Sequence, residues 1–444
     1  MSKSFVMSKF VYKCFAYGAI AAASAVLSLV APVPNLLVGQ AALQDSPKAL
    51  LDEAWQLVNR EYVDETFNQN DWQIVRQELL SQEYADLDAA YEALRDSLEL
   101  LEDPYTRFMT PEEFQELTSQ TSGEFSGVGL RLTVDEDTQA LVVVEPMENS
   151  PAIEAGLKTG DRILEIEGQS TEGMSVSDAA QLIRGDVGSQ VTLKISRSQT
   201  PDPFDVPLTR ARLEVPAVFS HLRNEFDTRV GYIRLTEFSA HSGEQMQAAI
   251  EDLLEQDVEA FVLDLRGNPG GLLQASIDIS RMWLSEGSIV QTLDRDESSE
   301  LVLADHSALT DLPLAVLVDG NSASSSEILT GALKDNERAV VVGTQTFGKA
   351  LVQAVHSLSN GSGLAVTVAH YYTPNGTDIS HRGITPDIEL ELSLNDRRRL
   401  AVQPGTRGTL ADPHYQEALM ALRPSIVARR SNSELSRSFE FQSR

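Results

Sequence analysis

Between residues 229 and 343 apolar strands and amphipathic helices alternate, and this pattern limits the fold most. "RVGYIRLTEF" reads as a strand, "SGEQMQAAIEDLLEQ" as a helix, and "VEAFVLDLRGNPGG" as a buried strand ending in a glycine turn. "LLQASIDISRMWLSEG" is again helical, and "LPLAVLVDGNSASSSEILTGALKDNERAVVVG" runs strand, turn, helix, strand. Such alternation demands an α/β domain with helices packed on a sheet. "AVTVAHYYTPNG" adds a late strand, and the tail from about Leu394 is partly helical and then polar.

The 444 residues suffice for two or three domains with real cores. Residues 45–118 carry helical periodicity, as in Leu50, Leu51, Ala54, Leu57 and Val58. The texture then changes to short alternating strands broken by Gly, Asp and Pro. "GVGL", "SPAIEAGLKTGDRILEIEG" and "AAQLIRG" follow in order, and together they resemble a PDZ domain. In that resemblance Gly127, Val128, Gly129 and Leu130 form the loop that binds a terminal carboxylate. The glycines let N–H groups converge, and the peptide adds as a strand on the sheet edge. Pro201, Pro203 and Pro207 in "SQTPDPFDVPLT" predict a semi-rigid connector to the next domain.

The net charge of −31 argues against nucleic acid as a partner, since phosphates would be repelled. Lys3, Lys9 and Lys13 precede an apolar stretch, and residues 1–41 contain no Asp or Glu. This is the pattern of an export signal ending after "GQA", although Val11 to Val30 is also long enough to span a bilayer if retained. The single cysteine, Cys14, lies inside that stretch. The remainder offers no disulfide, no thiol nucleophile and no cysteine-based metal site.

Four serines crowd into "NSASSSEI", directly after a buried strand and at the start of a helix. Ser324 and Glu327 make an S-x-x-E capping box, which by itself explains a serine there. The same place also suits chemistry, because free N–H groups and the helix dipole stabilise an oxyanion. None of the seven histidines lies beside this cluster and no G-x-S-x-G occurs. Beyond Lys194 there are twenty arginines but two lysines, Lys334 and Lys349. Arginine does not give up its proton, whereas a desolvated lysine can. Lys349 sits among apolar residues and is the candidate base; Lys334 sits at a charged helix end. Lys349 and Gln353 are four apart, which in a helix or a strand places them on one face. Asp335 lies eleven residues beyond Ser324, roughly 16 Å along a helix, too far to touch the serine.

"GNSASSSEILTGALKDNERAVVVGTQTFGKALVQ", "DLRGNPGG", "GYIRLTEF" and "EDPYTRFMTPEEF" occur beside the PDZ-like segment. From about residue 45 to 390 the chain resembles the carboxyl-terminal processing proteases, serine peptidases with a Ser–Lys dyad. The resemblance implies Ser324 as nucleophile, Lys349 as base and Gln353 as the amide that orients it. It implies oxyanion N–H groups from Gly270 and Ser325, and a supporting acid at Asp335. It implies no metal and no cofactor. Where the family usually reads G-K-G, this chain reads Gly348-Lys349-Ala350.

The expected architecture is multidomain: an export signal (1–41), an N-terminal α-helical domain (42–118), a β-rich PDZ domain (119–204), an α/β, crotonase/ClpP-like peptidase domain (205–394) and a helical or polar tail (395–444). The implied partner is a protein with a free C-terminus. Likeness to cyanobacterial members points to the precursor of the photosystem II D1 protein, and to export into the thylakoid lumen or periplasm. Membrane contact would come only through the substrate or an uncleaved signal. A general tail-specific protease, a PDZ adaptor without catalysis and a crotonase-like acyl transferase are the rival readings. The adaptor would lose Ser324 or Lys349, and the transferase would need neither a PDZ domain nor a serine–lysine pair.

Overall fold

The computed structural model describes residues 46–442 apart from positions 136 and 199. The expected signal therefore lies outside the described residues. Helix α1 (Pro47–Glu61) buries Leu50, Leu51, Ala54, Trp55 and Val58 along one stripe. Helices α2 (Trp72–Ser81) and α3 (Leu87–Glu99) begin at Asp71 and Asp86, whose carboxylates accept N–H bonds from the first turn. The core of these helices includes Leu358, Leu364 and Val366 from far along the chain. Strand β1 (Arg107–Met109) pairs with residues 363–365. The segment expected to be a separate helical domain is thus built into the α/β body that follows. Helix α4 (Pro111–Ser122) opens with a Thr110–Glu113 capping box and closes on Gly123 at φ +69°.

The PDZ segment comprises β2 (Glu124–Gly127), β3 (Leu130–Val134), β4 (Leu141–Pro146), α5 (Pro151–Glu154), β5 (Arg162–Ile166), β6 (Gln169–Ser170), α6 (Val176–Ile183), β7 (Gln190–Ser196), β8 (Phe204–Thr209) and β9 (Ala211–Glu214). Its sheet runs β3-β4-β5-β7-β8, leaving β3 as a free edge beside α6. The stretch expected to be a connector is β8, paired with β7 and burying Val206 and Leu208. Pro207 is tolerated because β8 is an edge strand. The actual passage is a two-stranded ribbon: the chain enters through β2 and leaves through β9, paired antiparallel.

The α/β body continues with β10 (Val218–Glu225), β11 (Thr228–Leu235), α7 (Ser242–Glu255), β12 (Ala260–Asp264), α8 (Leu273–Trp283), β13 (Ser288–Asp294), β14 (Ser299–Leu303), β15 (Leu314–Val318), α9 (Ser325–Asp335) and β16 (Val340–Gly343). It ends with β17 (Leu351–Ser357), β18 (Gly363–Tyr372), β19 (Ile388–Glu389), α10 (Leu394–Val402) and α11 (Pro413–Gln442). The main sheet runs β10-β11-β12-β15-β16-β19, parallel from β11 onward. Every residue of β12 and β15 is buried, because both faces are covered. One face packs on α7, α8 and α9. The other packs on α11 through Tyr415, Ala418, Leu419, Leu422 and Ile426. A second, antiparallel sheet centres on β18, flanked by β17 on one edge and by β1 and β13 on the other.

Candidate active site

Three loops leave the carboxyl ends of the adjacent parallel strands β12, β15 and β16, where open α/β sheets place their ligands. The first carries Gly270, the second Ser324 and the third Lys349. Hydrogen bonds fix the first two together. Asp319 Oδ1 accepts the N–H groups of Gly267 and Asn321 at 2.9 and 3.0 Å. The hydroxyls of Ser322, Ser325 and Ser326 donate to the carbonyls of Leu265, Gly271 and Asn268. Three of the four clustered serines therefore staple one loop to the other. Ser324 donates to none of these carbonyls.

Ser324 stands immediately before α9 at φ +53°, ψ −115°. A non-glycine residue held there costs about 1–3 kcal/mol, a strain typical of functional turns. A Cβ on Gly270 would lie 2.9 Å from Ser324 Cβ and 3.0 Å from Ser325 N. With φ +105° besides, only glycine fits at Gly270. The Ser325 N–H has no partner among the described residues. The Gly270 N–H donates to Asn268 Oδ1 at 2.9 Å. Asn268, fully buried, also donates to the Leu235 carbonyl, and its own carbonyl accepts the Ala323 N–H.

Glu327, the N3 residue of the capping box, does more than cap. Its buried carboxylate accepts the N–H of Ser324 and of Lys349, each at 2.9 Å, through Oε2. Oε1 accepts from Thr346 Oγ1 at 2.6 Å and Gly348 N at 2.7 Å. Burial pushes its pKa up against the pull of these four donors. On the carbonyl side, the Tyr371 hydroxyl contacts Ser324 O at 3.1 Å and also Lys349 O. Carboxylate and phenol thus grip the same two residues, one by their N–H groups and the other by their carbonyls.

Burial lowers the Lys349 pKa and Arg107 lowers it further, while Asp103 and Glu327 oppose both. The Lys349 Nζ lies 4.3 Å from the Tyr105 ring centroid. Among the described residues it hydrogen-bonds neither Ser324 nor Gln353. The four-residue spacing does not act as a strand face here. Lys349 precedes β17, and the ladder is irregular between Val352 and Gln353. Gln353 Nε2 is buried without a partner among the described residues. Ala350 is buried and avoids positive φ, so its methyl group strains nothing. Asp335 ends α9 and accepts from Thr373 Oγ1 at 2.6 Å and Asn375 N at 3.0 Å, bracing that turn. In the PDZ segment, the N–H groups of Val128 and Gly129 have no partner among the described residues, between Gly127 at the end of β2 and Leu130 at the start of β3. Gly129 sits at φ +78° against Ser150.

One buried network escaped the sequence reading. Arg266 bridges Asp264 and Asp412 at 2.6 and 2.7 Å, and Tyr232 donates to Asp264 at 2.6 Å. Asp412 belongs to the tail expected only to be helical or polar. Burial alone would raise the Asp264 carboxyl, but the charge and hydrogen bonds of Arg266, with Tyr232, bring it to about 2. Its stabilising contribution is complete above the ordinary 3.8 and is lost as pH falls through about 2. Asp412→Asn leaves the buried guanidinium half-compensated. Chemical denaturation should register a loss of about 3–5 kcal/mol, and a loss below 1 kcal/mol would contradict this account.

Residues 229–390 match Peptidase family S41, and residues 142–197 match the PDZ domain. A carboxyl-terminal-processing protease of Synechocystis sp. is 42% identical over 386 residues, covering 86% of this chain and 89% of the relative. The chloroplastic carboxyl-terminal-processing peptidase 2 of Arabidopsis thaliana is 40% identical over 83% of this chain and 75% of its own. The solved photosystem II D1 C-terminal processing protease superposes with a TM-score of 0.51 at 37% identity, spanning 78% of this chain and 93% of that one. The chain therefore belongs to the carboxyl-terminal-processing proteases, serine peptidases of family S41 that carry a PDZ domain.

Proposed function

We propose that this protease matures the D1 protein of photosystem II by removing its C-terminal extension, in the thylakoid lumen or periplasm, with Ser324 and Lys349 as its dyad. The observation that carries the dyad is the division of labour in the serine cluster. Ser322, Ser325 and Ser326 are committed to loop carbonyls, and Ser324 is held strained next to Gly270. Support for the substrate comes from the 37% identity to the D1-processing structure and from the cyanobacterial relatives.

The neutral amine of Lys349 takes the Ser324 proton as the alkoxide attacks the scissile carbonyl. The tetrahedral oxyanion accepts from Ser325 N–H and from Gly270 N–H, which exchanges its Asn268 partner for the substrate. Collapse passes the proton from Lys349 to the leaving amine and frees the C-terminal peptide. Water then hydrolyses the acyl-enzyme with Lys349 again as base. Gln353, on β17, is the amide assigned to orient the amine when the dyad engages, while Asp335 supports structure.

The unpaired N–H groups at Val128 and Gly129 receive the terminal carboxylate, and the tail lies along the β3 edge beside α6. A substrate amidated at its C-terminus should show kcat/KM at least tenfold below the free acid. Equal values would remove the carboxylate from the recognition scheme. The substrate itself is tested by mass spectrometry of the D1 C-terminus in a strain lacking this protein. Extended D1, restored to mature length by the wild-type chain but not by Ser324→Ala, is expected. Mature D1 in the deletion strain would assign the protease to other tails.

A further inference from the structure

Lys349 has one close partner for its charge that the dyad scheme leaves unused. The Tyr105 ring lies with its centroid 4.3 Å from Nζ, inside the roughly 6 Å range of cation–π attraction. The backbone that carries the ring is fixed in place. Asp103 accepts from Tyr105 N at 2.9 Å and from Thr106 Oγ1 at 2.7 Å, and Thr106 Oγ1 accepts from Thr367 N of β18 at 3.0 Å. Val63 N–H in turn binds the Thr367 carbonyl. The helical N-terminal segment and β18 thus aim one aromatic face at the base.

We propose that Tyr105 is a positioning residue for the base, its ring holding the Lys349 side chain as an ammonium, apart from Ser324, until substrate draws it in. An aromatic face attracts the charged amine and not the neutral one. The ammonium is the form that cannot accept the serine proton, so the contact acts as a brake on an idle protease. The other charged groups around Nζ divide. Arg107 disfavours the ammonium, and Asp103 and Glu327 favour it. None of these three distinguishes engaged from resting lysine by a directional contact of its own. The ring does, because the amine must leave its face to reach Ser324.

The inference rests on Lys349 as base, and the two are tested apart. Lys349→Ala that still turned over peptide would remove the base and leave the ring irrelevant. For the ring itself, the lysine side-chain NMR signals are titrated in Ser324→Ala protein, where activity plays no part. The Lys349 signal is identified by its loss in Lys349→Arg. Tyr105→Leu should lower the Lys349 midpoint by about one unit, and Tyr105→Phe, which keeps the face, should leave it in place. In the active enzyme the acid limb of kcat/KM should move with it, giving about tenfold faster cleavage by Tyr105→Leu below both midpoints. An unmoved midpoint in Tyr105→Leu, or an equal shift in Tyr105→Phe, would overturn the proposal.

Discussion

Lys349→Arg should abolish peptide cleavage as completely as Ser324→Ala, lowering kcat/KM by about 10⁴-fold or more while the far-ultraviolet circular dichroism stays native. The charge and much of the side-chain length survive this substitution. Only the ability to lose a proton is gone. A lysine serving merely as an electrostatic anchor would tolerate arginine. Lysine is a workable base here because burial takes its pKa down from 10.5, so the reactive neutral amine gains population as pH rises. The rate should therefore climb through an acid limb below 10.5. A flat profile, or near-normal turnover in Lys349→Arg measured by peptide release, would place the base elsewhere.

Glu327→Gln should be nearly as damaging, for a geometric reason. Its two oxygens accept from four donors, and no donor is wanted from Glu327. A glutamine amide must turn an NH₂ group toward at least one pair of them. Either Ser324 and Lys349, or Thr346 and Gly348, then lose their acceptor in a buried site. We expect kcat to fall by about 10²–10³-fold and stability by about 3 kcal/mol, read by steady-state kinetics and by urea denaturation. A residue that only capped α9 would cost about 1 kcal/mol and leave kcat largely intact. That smaller result would separate the serine and lysine loops energetically and refute the shared clamp.

Much of this site could be read from the chain before its geometry was known. The apolar runs of β12 and β15, each ending in glycine and polar residues, mark buried strands with turns at one end of a sheet. The clustered serines raise the question of a nucleophile, and the scarcity of lysine singles out Lys349. What remained hidden depended on contacts between distant segments. Glu327 reads as a local helix cap, and only the return of residues 346–349 reveals it as a clamp. Val206 and Leu208 alternate as a strand should, but three prolines nearby suggested a linker. Tyr415, Ala418, Leu419, Leu422 and Ile426 form a helical stripe, obscured by Pro424 within α11. Asp412 carries no local sign of pairing with Arg266, 146 residues earlier. The spacing of Lys349 and Gln353 misled, since Lys349 lies before β17 begins and the ladder is irregular at Gln353.

The central claim is that one serine among four becomes acylated and that Lys349 makes it do so. An activated ester of a short peptide, quenched in acid during turnover and followed by peptide mapping, reads this directly. The account predicts an acyl adduct on Ser324, absent from Ser324→Ala and failing to accumulate in Lys349→Arg. An adduct on Ser322, Ser325 or Ser326, or unimpaired acylation of Ser324 in Lys349→Arg, would contradict it.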